Sequence, residues 1–205
     1  MPKRYPTIGC CGIDCGLCPR FYTDGDSRCP GCGGEGFERV HPPCSFKTCC
    51  ADRRRLEVCA LCEEYPCAKF EDREKVERDS FVTHKRIFQN HEFIRARGFD
   101  SFMEEQAKRV SVLREMLADF DDGRSKGYYC LAAALLSIGS LEAAVADTAD
   151  DEAAYAETGK GKAVGGGAAM NEAPSRANRK IRAKALKAAL QSYAGTEGVR
   201  LVLDK

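Results

Sequence analysis

From Phe70 onward, apolar and charged positions recur at helical spacing. Phe81 and Phe88, like Ile87 and Ile94, repeat at seven residues, and Gly98 follows Arg97 where a helix stop belongs. Ser101 with Glu104 reads as a capping box ahead of a helix with Phe102, Val110, Leu113, Leu117 and Phe120 on one face, ended by Asp121, Asp122 and Gly123. Tyr128 to Leu136 reads as a short buried helix, and Ser140 as the N-cap of an acidic helix from Leu141 to about Glu157. Residues 158–173, with Gly165, Gly166 and Gly167, read as a flexible loop. Pro174 then opens a basic helix. Its apolar face takes Ile181, Leu186 and Leu190, its cations Arg176, Arg179, Lys180, Arg182, Lys184 and Lys187 lie largely elsewhere, and Gly195 ends it. Val199, Leu201 and Leu203 alternate with Arg200 and Asp204, apart from Val202, which predicts a C-terminal strand paired with the cysteine-rich region.

Residues 1–69 break this pattern. They hold twelve of the thirteen cysteines, between Cys10 and Cys67, together with Pro2, Pro6, Pro19, Pro30, Pro42, Pro43 and Pro66, and few apolar runs. Such a segment builds no core unaided, so bound metal would supply the folding free energy. The expected architecture is a small α+β protein: an irregular, metal-stapled cysteine-rich module (1–69) packed on an α-helical domain (70–157), then the Gly/Ala-rich loop (158–173) and a basic helix with a strand (174–205).

Charge narrows the partners. Thirty-two Lys and Arg against 31 Asp and Glu leave +1, so no overall field recommends nucleic acid or membrane. Arg53, Arg54 and Arg55 and the helix after Pro174 could meet phosphates, but interleaved aromatics are largely missing, which gives nucleic acid the lesser support. The apolar stretch Cys130 to Ala146 is interrupted by Ser137, Gly139, Ser140 and Glu142, so no membrane span is expected. With no secretory pattern before Ile8, the expected compartment is the cytoplasm, where closely spaced cysteines serve as metal ligands more than as disulfides.

Three pairs have the two-residue gap that aims both thiolates at one cation: Cys15 with Cys18, Cys29 with Cys32, and Cys59 with Cys62. Pro30, Gly31 and Gly33 make Cys29–Cys32 a knuckle of the zinc-ribbon type, and Gly31, Gly33 and Gly36 are part of that turn rather than a dinucleotide fingerprint. In the doublets Cys10–Cys11 and Cys49–Cys50, adjacent side chains diverge, so each doublet is expected to give one ligand. The candidates are Cys11, Cys15, Cys18, Cys29, Cys32, Cys44, Cys49, Cys59, Cys62 and Cys67. Ten is not a multiple of four. Two four-cysteine sites leave two thiols over, whereas Cys10 and Cys50 would complete three. His41 could replace one thiolate. Zinc is the expected metal, with [4Fe-4S] clusters as the alternative, since both use all-thiolate sites. The spacing Cys11, Cys15, Cys18 also occurs in radical S-adenosylmethionine enzymes, whose barrel of alternating strands and helices has no counterpart here. His84 and His91 read as helix-surface or core-edge residues, and Cys130 as a buried apolar residue.

These motifs resemble a prokaryotic family catalogued as domain of unknown function 3795. Cys11, Gly12, Ile13, Asp14, Cys15, Cys18 and Pro19 match its opening element. Cys29, Gly31 and Cys32 match its knuckle, Cys44 and Cys49 a four-residue spacing, and Cys59, Cys62, Tyr65, Pro66 and Cys67 its closing element. The resemblance implies a metal-binding cysteine domain and no established activity. Together these features lead to the expectation of a zinc-folded module with a binding or scaffold role toward a protein partner, with enzyme activity left open and the balance against it. The alternative is an iron-sulfur redox or electron-transfer accessory protein.

Overall fold

The computed structural model describes residues 3–71, 79–157 and 176–204. Five long helices follow one another: α1 (Ile87–Arg97), α2 (Phe99–Asp119), α3 (Lys126–Leu135), α4 (Ile138–Glu157) and α5 (Arg176–Thr196). Before them the chain runs through short turns, among them Cys15–Leu17, Pro19–Tyr22, Phe37–Val40 and Cys59–Leu61.

The expected α+β class is overturned, because the described residues contain helices and turns but no strand. The misread element is the C-terminus. Its alternation is real: Leu201 is buried, Val199 and Leu203 pack beside it, and Val202 is 52% exposed. That burial is against the helical core, however, and not within a sheet. Period-two alternation reports an extended backbone with one face covered; it does not say what covers it.

The main core joins Val112, Leu113 and Met116 of α2, Tyr129 to Ala134 of α3, Leu141, Ala144 and Val145 of α4, and Leu186, Leu190 and Ala194 of α5. Tyr129 is fully buried, and its hydroxyl donates to the Phe120 carbonyl at 3.1 Å. In α5 the buried stripe is Ala183, Leu186, Leu190 and Ala194, which leaves Ile181 67% exposed, contrary to its expected inward place. The cysteine-rich part enters this core directly, since Leu17 is buried among these helices. No described helix is long and apolar enough to cross a membrane. The glycine-rich stretch 158–173 lies outside the described residues.

One glycine separates α1 from α2. Gly98, at φ +90°, closes α1 by donating its N–H to Ile94 O and stands immediately before Phe99, so α2 begins earlier than the Ser101–Glu104 pattern suggests. The inward stripes of both helices are partly polar. On α1 the buried positions are Ile87, Asn90, His91 and Ile94; on α2 they include Phe102, Gln106, Arg109, Leu113 and Met116. Asn90, His91, Gln106 and Arg109 thus occupy core positions, which is unusual for their residue types and marks what they hold.

Candidate metal centre

The ten candidate cysteines divide between two cavities. Cys11, Cys15, Cys18, Cys29, Cys32 and Cys44 line a chamber of about 280 Å³, shared with Phe37, His41 and Phe81. Cys49, Cys59, Cys62 and Cys67 line a pocket of about 30 Å³, together with Cys50, Tyr65 and Phe70.

Short turns aim the thiols. After Cys15 a single 3-10 turn ends with Cys18 N–H donating to Cys15 O at 3.2 Å, and Cys59 with Cys62 repeats the arrangement at 2.9 Å. Gly31, at φ +85°, lets the knuckle lie on the N-terminal segment: Cys32 N–H donates to Pro6 O at 2.9 Å, and a Cβ at Gly31 would collide with the Pro6 carbonyl.

Asp14 fixes the first loop to the helices. It is 6% exposed and accepts from Asn90 Nδ2 of α1 at 2.8 Å and from Gln106 Nε2 of α2 at 3.0 Å. The same two amides also hold the backbone that precedes Asp14, Asn90 at Gly12 O (2.9 Å) and Gln106 at Thr7 O (3.1 Å). The loop bearing Cys11 and Cys15 is therefore clamped by four hydrogen bonds from two side chains. A buried carboxylate bonded in this way is oriented by charge-assisted contacts.

Of Cys10 and Cys50, the remaining members of the two doublets, Cys10 lies against a chamber residue and Cys50 lines the pocket. Cys32 Sγ lies 3.8 Å from Cys10 Sγ, and the Cys50 thiol donates to Leu56 O at 3.4 Å. Cys32 belongs to the chamber, and Cys50 and Cys59 to the pocket. The Cys10–Cys11 doublet diverges as expected, whereas Cys49 and Cys50 both face the pocket. The bond with Cys32 lowers the Cys10 pKa, but the bond to Cys50 and burial outweigh it and push the thiol up to about 12. Cys32 is raised by its bond to Cys10 and by burial, and Cys15 mainly by burial. Any metal taken up here displaces protons from these thiols. Cys130 is buried as expected, and burial pushes its pKa up to about 12.

A lone zinc requires four donors at about 2.3 Å from one point, hence sulfurs about 3.8 Å apart. The Cys10–Cys32 pair has that separation, yet among the described residues no three Cys, His, Asp or Glu side chains converge as an ion-holding group. The chamber differs in kind. Its six thiols surround a volume roughly twenty times the ~10–15 Å³ that one water needs, whereas the small pocket has room for only about two. In donor chemistry and in volume the chamber fits a multi-iron cluster, and the pocket fits at most a single ion.

His91 stands beside this centre. It is fully buried, with neither ring nitrogen hydrogen-bonded, and packs edge-on to Tyr65 at 4.7 Å and Phe70 at 5.3 Å, so its expected surface or core-edge role is overturned. A Cβ at Gly12 would sit 2.6 Å from its Nε2. Burial moves the pKa down from 6.5 to about 4. The unfolded chain therefore takes up a proton as pH falls through 6.5, while the folded chain refuses it until about 4. Over that window stability should drop by about 2–3 kcal/mol. Urea unfolding at steps between the two pH values should show this loss in the wild type and not in His91→Phe; parallel curves would place the proton uptake elsewhere.

Searches against protein-family models, curated proteins and solved structures find no match to this chain.

Proposed function

We propose that this chain is an iron-sulfur redox accessory protein, with its cluster in the six-cysteine chamber and one zinc in the smaller pocket. The carrying observation is the chamber itself: six thiols around about 280 Å³ without convergence on a single point. The order of the cysteines, which resembles a family of metal-binding type, supports the same reading.

Cys11, Cys15, Cys18, Cys29, Cys32 and Cys44 are the available donors, two more than a four-cysteine cluster uses, and the cluster when bound would supply one-electron chemistry. The protein's own contribution is positional. Asp14 holds the Cys11–Cys15 loop against α1 and α2, Gly31 brings Cys32 onto the N-terminal segment, and Phe37 and Phe81 form apolar wall, which raises the cost of charge inside. The zinc-scaffold reading keeps its support at the pocket, where five thiols face a volume of about 30 Å³.

The test is composition. Protein purified without oxygen should be brown from sulfur-to-iron charge transfer, with about four iron and four sulfide per chain and one zinc. Cys15→Ala should abolish the colour and keep the zinc; Cys67→Ala should do the reverse. A colourless protein with two or more zinc ions and no sulfide would overturn the cluster and restore the scaffold reading.

A further inference from the structure

Beyond the cysteine cavities, a groove of about 540 Å³ runs between the segment 21–28 and the helical body. Three cations from three separate stretches line it: Arg28, next to Cys29; Arg114, on α2; and Lys126, at the start of α3. They are braced from below. Lys126 Nζ donates to Tyr22 O at 3.0 Å, Tyr22, which lines the groove with Arg114, donates its hydroxyl to Gly16 O at 2.7 Å, and the Arg28 guanidinium lies 5.9 Å from the Phe21 ring centre.

Among the described residues, none of the three is ion-paired with a carboxylate. Two carboxylates share the lining, Asp24 and Asp121. The Asp121 carboxylate is already engaged by its own turn, accepting from Gly123 N–H at 3.1 Å and Ser125 N–H at 3.2 Å. Like charges brought together by the fold repel one another unless an anion lies between them. Two guanidinium forks and an ammonium suit phosphate oxygens, the forks as bidentate donors and the ammonium as a point charge. The rest of the lining is mixed, with Phe21, Leu117 and Ala118 beside Tyr22 and Thr23, and its apolar part would contact the body of a ligand rather than its charge. The volume falls in the range of small-molecule sites, roughly 300–1,000 Å³.

We infer that this groove binds a small organic phosphate carrying at least two negative charges, with its phosphates on Arg28, Arg114 and Lys126 and its body on Phe21 and Leu117. The site does not depend on which metal the cysteines hold. The groove and the chamber share Phe21 as a lining residue. Ligand in the groove would thus touch the wall of the chamber.

Isothermal titration of the full chain with ADP, and separately with pyrophosphate, tests this without added divalent cation. Both should bind saturably, ADP more tightly because pyrophosphate has no body for the apolar wall, and both more weakly as salt rises. Arg28 and Arg114 are exposed, so Arg28→Gln with Arg114→Gln should leave far-UV circular dichroism and Tm unchanged and weaken ADP at least tenfold. No saturable binding, or equal affinity in the double variant, would overturn the site. Equal affinity for pyrophosphate and ADP would overturn the role given to Phe21 and Leu117.

Discussion

Asp14→Ala should lower folding stability by about 3–5 kcal/mol, because two charge-assisted hydrogen bonds, each worth about 1.5–3 kcal/mol, disappear from a buried site. Asn90 and Gln106 would keep their backbone partners, Gly12 O and Thr7 O, so the helices survive while the loop between them loosens. Metal content should fall along with stability, since Cys11 and Cys15 flank the lost carboxylate. Urea unfolding of Asp14→Ala, Asn90→Ala and the double variant measures the coupling; strict additivity would mean that Asp14 and Asn90 act independently and that the loop is held by other contacts.

A comparable loss, about 3–5 kcal/mol, is expected from Arg109→Met. Arg109 is 8% exposed, and its Nη1 donates to Ala133 O at 2.9 Å and Leu136 O at 2.6 Å, which caps the end of α3. Its other nitrogens pair with Glu105 at 3.2 Å and 3.3 Å. Methionine fills similar space but leaves two buried carbonyls and one carboxylate without a donor. Thermal unfolding should show Tm lowered by about 10 °C or more. A change of a degree or two would mean that water or relaxation of α3 satisfies those carbonyls.

Arg109 and Asp14 also show how far the sequence could be read. The large helices were legible because apolar residues at three- and four-residue intervals have one simple cause, burial of a stripe. Ile87 with Ile94, Gly98 as a stop, and Leu113 with Phe120 illustrate this, and all four apolar residues are buried. The polar members of the same stripes were not read as buried. His91 lies between Ile87 and Ile94 at positions that must face inward, and Gln106 and Arg109 lie between Phe102 and Leu113 in the same way. Spacing held that signal; residue type argued against it. The cysteine pairs were likewise plain from spacing, but their division into six and four depends on how turns far apart in sequence pack together, which no local pattern encodes. One ligand per doublet follows from the divergence of neighbouring side chains, yet Cys10, outside the chamber's lining, still comes within 3.8 Å of Cys32 Sγ, a contact between residues 22 positions apart. The supposed strand failed for a related reason, since the partner of Leu201 is a helical core assembled from α2 to α5.

The clamp on Asp14 has a consequence for biosynthesis. The thiols leave the ribosome well before the amides that position them, because Gln106 lies 92 residues after Asp14. At the usual elongation rates that interval is roughly 5–20 s, during which the first cysteine loop has no Gln106, and for most of it no Asn90, to close on it. For that time the nascent segment is a flexible run of accessible sulfur, open to oxidants and to whichever thiophilic ion is most abundant. A metal bound at the proposed sites would therefore reflect the chemistry around the translating ribosome as well as the cavities that finally enclose it.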